Sequence, residues 1–187
     1  MSTKENKSNI ANPAPLGLLG FGMTTCLLNL HNGGFTPLSI VIVAMGLALG
    51  GAAQIIAGIM EFKKNNTFGA TAFTAYGLFW WSLVLIWINP FSNIEAADSM
   101  SMGYYLGLWA LFTGFMFIGT LKHNRVSQIV FGSLTILFLL LSVANFTGSE
   151  TIHTVAGYVG IFCGLSAIYN AMAQIINQEF DKTIMPL

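Results

Sequence analysis

The stretch over residues 12–22, Asn-Pro-Ala-Pro-Leu-Gly-Leu-Leu-Gly-Phe-Gly, contains the residue types that most directly suggest a binding chemistry. Asparagine is favoured at the N-cap of a helix and proline in its first turn, so the stretch predicts a helix that begins at Asn12. The free N–H groups and partial positive charge at such an end suit a carboxylate. The stretch therefore indicates either an anion-binding helix end or a helix start that binds nothing.

Five amide side chains lie inside long apolar runs, where an amide left without a hydrogen-bond partner is costly. They are Asn29, Gln54, Asn145, Asn170 and Gln174. Each is expected either to link two helices or to line a hydrated path. Asn170 and Gln174 are one helical turn apart and share a helix face.

Charged residues are scarce in the same apolar runs. No Lys or Arg lies within one, and the acidic residue nearest to one, Glu61, stands beside Lys63 and Lys64 at its end. We interpret Glu61 as an interfacial charge, so the relay of buried carboxylates found in many pumps is not expected. Neither a His/acid pair, a metal-ligand spacing nor a nucleophile motif is recognisable. The sequence predicts a protein that is not an enzyme, with no metal and no cofactor.

The elements that must position these groups are the apolar runs themselves. The chain of 187 residues is 55% hydrophobic and 7% charged, with a mean hydropathy of +0.70. A soluble domain has about 25% charged residues. Since a membrane-spanning helix takes roughly 20 apolar residues, the chain has room for six such helices. The six predicted spans are residues 16–32, 38–61, 67–89, 102–121, 126–147 and 152–176.

The basic residues all lie on one set of alternate connectors. They are Lys4, Lys7, Lys63, Lys64, Lys122, Arg125 and Lys182. The other connectors hold Glu95, Asp98 and Glu150 but no Lys or Arg. The positive-inside rule then places the basic connectors and both termini in the cytoplasm. A nucleic-acid partner is not expected, because no basic patch extends beyond these short connectors.

The predicted fold is an all-α membrane protein with six transmembrane helices around a central path. It divides into a polar cytoplasmic tail (1–11), the transmembrane domain (12–176) and a second cytoplasmic tail (177–187). We expect it in the cytoplasmic (inner) membrane as a multi-pass protein surrounded by lipid. Glycine pairs at four-residue spacing predict close helix packing, either within one subunit or between subunits. These pairs are Gly46 and Gly50, Gly103 and Gly107, and Gly160 and Gly164.

The stretch over residues 12–22 matches the signature of the acetate uptake transporter family, and the resemblance runs from about residue 11 to the C-terminus. It includes Leu-Asn-Leu-His-Asn at 28–32 and Gly-Ala-Thr-Ala-Phe-Thr-Ala-Tyr-Gly at 69–77. Shorter matches follow at 105–109, 119–122 and 166–169. The loop over residues 90–101 is the part least similar to the family.

The resemblance implies a homo-hexamer with one path through each six-helix subunit, and uptake of acetate and succinate. It also implies a hydrophobic constriction of one Phe, one Tyr and one Leu. Its single hydrogen-bond donor would be a tyrosine hydroxyl, and a small residue on the sixth span would leave room for substrate. The predicted path and substrate-binding residues are Asn12, Gly17, Phe21, Tyr76, Leu134, Ala167 and Asn170.

These features predict transport of acetate, other small monocarboxylates and succinate, linked to protons. A carboxylate pays heavily to enter an apolar constriction, so it would pass as the neutral acid or as an anion held by helix-end N–H groups. The resemblance leaves open whether the protein is a channel or a coupled carrier. The alternatives are a passive channel for urea or short amides, and a membrane protein without flux. His31 and His153 are expected to be interfacial histidines or pH sensors.

Overall fold

The protein is described by a computed structural model that covers residues 10–91 and 93–187, and the regular structure of these residues is helical. The helices are α1 (Ala14–Asn32), α2 (Ile40–Lys63), α3 (Thr67–Ile88), α4 (Ser99–Thr120), α5 (Arg125–Thr147) and α6 (Glu150–Glu179). Their ends lie within three residues of the predicted runs, so the predicted all-α fold is confirmed. Of the predicted N-terminal tail, residues 1–9 lie outside the described residues.

Five of these helices, α2 to α6, are long and apolar enough to cross a membrane. This makes the chain a multi-pass membrane protein. Helix α1 has 19 residues and is the sixth in the bundle, but it is not among those five. Its last turn carries Asn29, His31 and Asn32, which lower its apolar character.

Four helices begin at a side chain that accepts a hydrogen bond from the free N–H groups of the first turn. Asn66 caps α3, Asn124 caps α5 and Ser149 caps α6. Asp98 caps α4, accepting from both the N–H and the hydroxyl of Ser101 at 2.7 Å. The same two bonds hold the pKa of the Asp98 carboxyl below its usual range. The polar connectors thus define where each helix starts.

The helices pack as three antiparallel pairs, α2 with α3, α4 with α5, and α6 with α1. Helix α5 also packs along α6, and α1 packs along α2. The backbones of α3 and α4 come close over a short length only, and these two helices meet mainly through aromatic side chains. This arrangement places α1, α2, α3, α5 and α6 around a common interior, with α4 on the outside of α5. The pairing agrees with the short basic connectors, which join α2 to α3 and α4 to α5.

Helix α1 approaches α6 so closely that the two backbones touch. A Cβ on Gly22 would lie 2.7 Å from the carbonyl oxygen of Gly164, and a Cβ on Gly157 would collide with the backbone of Gly33. Helix interfaces in membranes depend on such small residues, because lipid gives no hydrophobic drive for helices to associate. The glycine pairs noted in the sequence pack against residues of the same chain, as the intrasubunit alternative predicted.

The middle of α2, Gly46–Ala53, is wound as a π-helix, which its apolar run did not predict. The indole N–H of Trp81 on α3 donates to the carbonyl oxygen of Leu47 at 3.0 Å. A Cβ on Gly51 would collide with the same indole, so glycine is what allows this approach. Segments of π-helix are rare and often lie at functional sites. This one ends immediately before Gln54.

The close contact between α1 and α6 predicts a strong effect of one methyl group. Gly157→Ala should lower the free energy of unfolding by about 1–3 kcal/mol, because backbone atoms of α1 must move to admit the Cβ. Gly114→Ala on α4 is the matched control, since the nearest atom to its Cβ would be Thr135 Cγ2 at 3.8 Å. Thermal unfolding in detergent should show a lower Tm for Gly157→Ala and an equal or higher Tm for Gly114→Ala. Equal behaviour of the two variants would contradict the packing argument.

Candidate functional site

A cavity of about 330 Å³ lies inside the ring of helices. Five helices and two connectors line it, and α4 does not contribute. Its lining consists of Ala14, Leu18, Phe21, Gln54, Glu61, Asn66, Phe68, Gly69, Ala72, Phe73, Tyr76, His123, Asn124, Ser127, Val130, Phe131, Leu134 and Gln174. Polar residues from the helix ends gather at one end of this cavity, and apolar residues from the helix interiors close the other.

Phe21, Tyr76 and Leu134 line the cavity at its apolar end. They come from α1, α3 and α5, and each is at most 6% exposed. The ring centroids of Phe21 and Tyr76 are 6.0 Å apart, and Phe131 lies 6.1 Å from Tyr76 on another side. The structure therefore brings together the three residues that the family resemblance assigns to a constriction.

The hydroxyl of Tyr76 is engaged outside the cavity wall. It donates to Thr113 Oγ1 on α4 at 2.9 Å, and the Thr113 hydroxyl donates in turn to the carbonyl oxygen of Trp109 at 2.6 Å. The expectation that this hydroxyl is the donor of the constriction is wrong for the described arrangement, because its proton is already used. This end of the cavity is therefore mainly aromatic and aliphatic, with the Gln54 amide as its neighbour in the wall.

The polar end contains a fully buried carboxylate. The Glu61 side chain is 0% exposed, and its Oε2 accepts a hydrogen bond from Asn66 Nδ2 at 2.8 Å. The ammonium of Lys64 lies 3.8 Å from the same oxygen. The interpretation of Glu61 as an interfacial charge is therefore wrong. It failed because Asn66 and the close approach of Gly69 enclose the carboxylate, and neither contact is visible in the order of residues.

A chain of hydrogen bonds crosses the polar end from α2 to α5. Lys64 Nζ donates to Asn12 Oδ1 at 3.1 Å, and Asn12 Nδ2 donates to Gln174 Oε1 at 3.0 Å. Gln174 Nε2 then donates to Asn170 Oδ1 at 2.9 Å. Asn170 Nδ2 completes the chain by donating to Ser127 Oγ at 3.1 Å. These amides hold four separate segments at fixed positions around the cavity.

The other predicted site residues lie next to the cavity lining. Asn12 is not the N-cap of α1, because Pro13 occupies that position, and the Asn12 side chain accepts from the N–H of Ala14 at 3.3 Å. Gly17 lies against the ring of Phe73, which leaves no room for a Cβ. Two further predicted residues, Ala167 and Asn170, are buried on α6 with 0% exposure. Their roles in binding stay predictions.

The five amides separate into three classes. Asn29 Nδ2 and Asn145 Nδ2 donate to carbonyl oxygens one turn earlier in their own helices. Asn170 links α6 to α5, and Gln174 links α6 to the segment before α1. Gln54 lines the cavity, and its Oε1 has no hydrogen-bond partner among the described residues.

Most of the cavity lining was not recognised as site residues from the sequence, including the carboxylate of Glu61 and the imidazole of His123. The seven-residue spacing of Gln54 and Glu61, two helical turns, was the signal that places both on one face of α2. His123 lies on the connector before α5, where the sequence offered only a basic turn. Its ring packs edge-on against Phe68 at 4.7 Å, which brings it to the cavity wall.

The other two histidines lie away from this cavity. His31 Nδ1 pairs with the carbonyl oxygen of Thr36 at 3.0 Å. His153 lines a second, smaller cavity of about 190 Å³ together with Glu150 and Asn145. Their expected roles at the helix ends stay predictions.

Known proteins resemble this chain along almost its whole length. It is 54% identical over 181 residues to the succinate-acetate/proton symporter SatP of Escherichia coli (strain K12), covering 96% of both chains. It is 40% identical over 177 residues to ammonia transport outward protein 2 of Saccharomyces cerevisiae (strain ATCC 204508 / S288c), covering 90% of this chain and 63% of the yeast protein.

The fold agrees with a solved structure as well. The structure of the bacterial acetate channel SatP matches with a TM-score of 0.94 and 54% sequence identity, covering 96% of this chain and 99% of that chain. Residues 2–186 match the GPR1/FUN34/yaaH family. The ring of helices, its cavity and these likenesses lead to one conclusion: the chain belongs to the GPR1/FUN34/yaaH family.

Proposed function

We propose that the chain transports acetate, other small monocarboxylates and succinate across the cytoplasmic membrane, coupled to protons. The observation that carries this proposal is the cavity of about 330 Å³ that closes on Phe21, Tyr76 and Leu134. Cavities of this size are typical of small-molecule sites. The likeness to SatP, which is called both a succinate-acetate/proton symporter and an acetate channel, supports the same substrates here.

The coupling to protons follows from the two ends of the cavity. At the apolar end, a charged carboxylate would lose its water and gain no hydrogen bond from the Tyr76 hydroxyl, which already donates to Thr113. Burial of an isolated charge without a partner is expensive, so the neutral acid is the form that passes. At the polar end, Lys64 and the neighbouring amides suit the anion. One proton therefore enters with each monocarboxylate.

We propose the following organisation around that path. All six helices cross the cytoplasmic (inner) membrane, both termini are cytoplasmic, and the two tails (1–11 and 177–187) flank the transmembrane domain (12–176). Six subunits form a homo-hexamer with one path in each. The outward face of α4 supports an assembly of this kind, because it presents large apolar side chains to lipid or to a neighbouring subunit. These are Tyr104, Leu108, Leu111, Phe115 and Ile118, all at least 59% exposed.

A passive channel for urea or short amides is the second candidate. The observation that favours it is Gln54, whose Oε1 lacks a partner in the cavity wall and would accept a hydrogen bond from an amide N–H. Radiolabelled acetate uptake into proteoliposomes, with and without a proton gradient, distinguishes the two candidates. Acetate uptake that rises with the gradient and is inhibited by succinate but not by urea supports the first. Inhibition by urea alone supports the second.

The proposed topology predicts which positions are reachable from outside the cell. Ala96→Cys should react with a membrane-impermeant maleimide in intact cells, because its loop lies outside. Thr183→Cys and an epitope at the N-terminus should be detected only after permeabilisation. The parent chain, whose Cys26 and Cys163 lie within helices, provides the background. Labelling of Thr183→Cys in intact cells would overturn the proposed orientation.

Asn12 is predicted to shape the polar end of the cavity. Asn12→Ala removes the acceptor of Lys64 Nζ and the donor to Gln174 Oε1. Loss of a hydrogen bond of this kind costs about 1 kcal/mol, so the apparent KM for acetate uptake should rise by about fivefold. The control is Asn93→Ala in the exposed α3–α4 loop. An unchanged KM for acetate in a normally expressed Asn12→Ala protein would show that Asn12 does not belong to the substrate path.

Leu134 is predicted to select substrates by size. It is 2% exposed and lines the apolar end of the cavity. Leu134→Ala should raise lactate uptake relative to acetate on the order of tenfold, because methylene-sized differences in an apolar pocket are worth about 1–3 kcal/mol. Leu139→Ala, on the exposed side of the same helix, is the matched control. A lactate-to-acetate ratio equal in both variants would place Leu134 outside the constriction.

A further inference from the structure

Glu61 is a buried carboxylate with an incomplete set of partners. Its Oε2 is paired with Asn66 and Lys64, whereas its Oε1 has no hydrogen-bond partner among the described residues. The side chain is 0% exposed and belongs to the cavity wall. A buried ionisable group inside a membrane protein is expensive to keep, and such groups commonly have a functional role. An unpaired buried oxygen in particular requires an explanation.

The fold encloses this carboxylate from a second helix. A Cβ on Gly69 of α3 would lie 3.1 Å from the carboxyl carbon of Glu61, so glycine allows α3 to close against it. The enclosure separates the carboxylate from bulk water. A proton that reaches its free oxygen is therefore supplied by a molecule in the cavity.

The charged and titratable groups around this end of the cavity are few. Lys64 lies on the turn that follows α2, and His123 reaches the cavity from the connector between α4 and α5. Helix α3 contributes Tyr76 at the opposite end of the cavity, and α1 and α6 contribute neutral lining residues. Among the residues that line the cavity, Glu61 is the one carboxylate.

We propose that Glu61 accepts the proton of the transported acid at the polar end of the cavity. The proton and the carboxylate are then separated before they leave the cavity. This inference rests on the proposed acetate transport. The O–H bond of the acid breaks, its electron pair stays on the departing carboxylate, and a new O–H bond forms at Glu61 Oε1. Glu61 then releases the proton to a water molecule that has entered the cavity, which forms hydronium, leaves to the cytoplasm and restores the carboxylate.

Lys64 connects the transfer of the proton to Glu61 with the movement of the carboxylate that remains. While Glu61 is ionised, the ammonium of Lys64 lies 3.8 Å from Oε2 and also donates to Asn12 Oδ1. Protonation of Glu61 removes the negative charge that faces Lys64. The ammonium then attracts the newly formed carboxylate toward the polar end, next to Asn12 and Gln174. The charge of Lys64 is thus available to the substrate only after the proton has been transferred.

The test compares two rates in proteoliposomes after subtraction of protein-free liposomes. Net uptake of labelled acetate requires the proton-holding group to release its proton in every cycle. Exchange of labelled for unlabelled acetate, at equal pH and concentration on both sides, does not. Glu61→Gln keeps an acceptor for Asn66 Nδ2 but cannot carry a proton. In Glu61→Gln, net uptake should fall about tenfold or more, while exchange should stay within about twofold of the wild type. The tenfold figure is modest, because a positioned proton acceptor commonly contributes about a hundredfold or more.

Two further variants complete the design. Glu179→Gln, at the exposed end of α6, changes a carboxylate away from the cavity and should leave both rates unchanged. Glu61→Asp keeps a carboxylate but moves it, so its net uptake should lie between those of the wild type and Glu61→Gln, with exchange preserved. If Glu61→Gln does not fold, the Glu61→Asp variant alone tests the proposal.

The outcomes separate the inference from the proposed function. Absence of protein-dependent acetate uptake by the wild type overturns the proposed function. Wild-type uptake with an unchanged ratio of net uptake to exchange in Glu61→Gln overturns the role of Glu61 alone. An equal loss of both rates in the Glu61 variants also overturns it, because it indicates a structural role.

Discussion

The close packing of α1 against its neighbours is the constraint on which the cavity depends. Within one stretch of α1, Gly17 lies against α3, Gly20 against α2 and Gly22 against α6. Gly20 and Gly22 meet the backbones of α2 and α6, and Gly17 admits the ring of Phe73, so α1 is held on three sides by direct contact. Phe21 lies within this stretch and lines the cavity. The same glycines that bring the helices together therefore determine where the apolar end of the cavity is placed.

The two ends of the cavity solve opposite physical problems. The apolar end, at Phe21, Tyr76 and Leu134, disfavours an ion, because the ion must lose its water there. The polar end is organised by amides, which link separate segments of the chain, and by one local ion pair. SatP is called both a proton symporter and a channel, two names that differ in whether substrate movement is coupled to protons. For this chain, that question concerns Glu61.

The helices and their pairing could be predicted from the sequence because apolar runs and basic connectors are local signals. The assembly of Phe21, Tyr76 and Leu134 was predicted from resemblance to a family, since nothing local joins three residues so far apart. Burial of Glu61 could not be predicted, because it depends on how closely α3 approaches at Gly69. The π-helical turn in α2 was also missed, because its glycines are equally compatible with an ordinary helix.

The positions of the tryptophans determine which parts of the protein its fluorescence reports on. All four lie on α3 or α4, at positions 80, 81, 87 and 109. The ring of Trp109 lies 6.0 Å from that of Tyr76, while Trp81 is bonded to the π-helical turn of α2. The tryptophan fluorescence of the protein therefore arises from α3 and α4 alone. Trp109 reports on the cavity through its contact with Tyr76, and Trp81 reports on the π-helical turn, while α1, α5 and α6 contain no tryptophan.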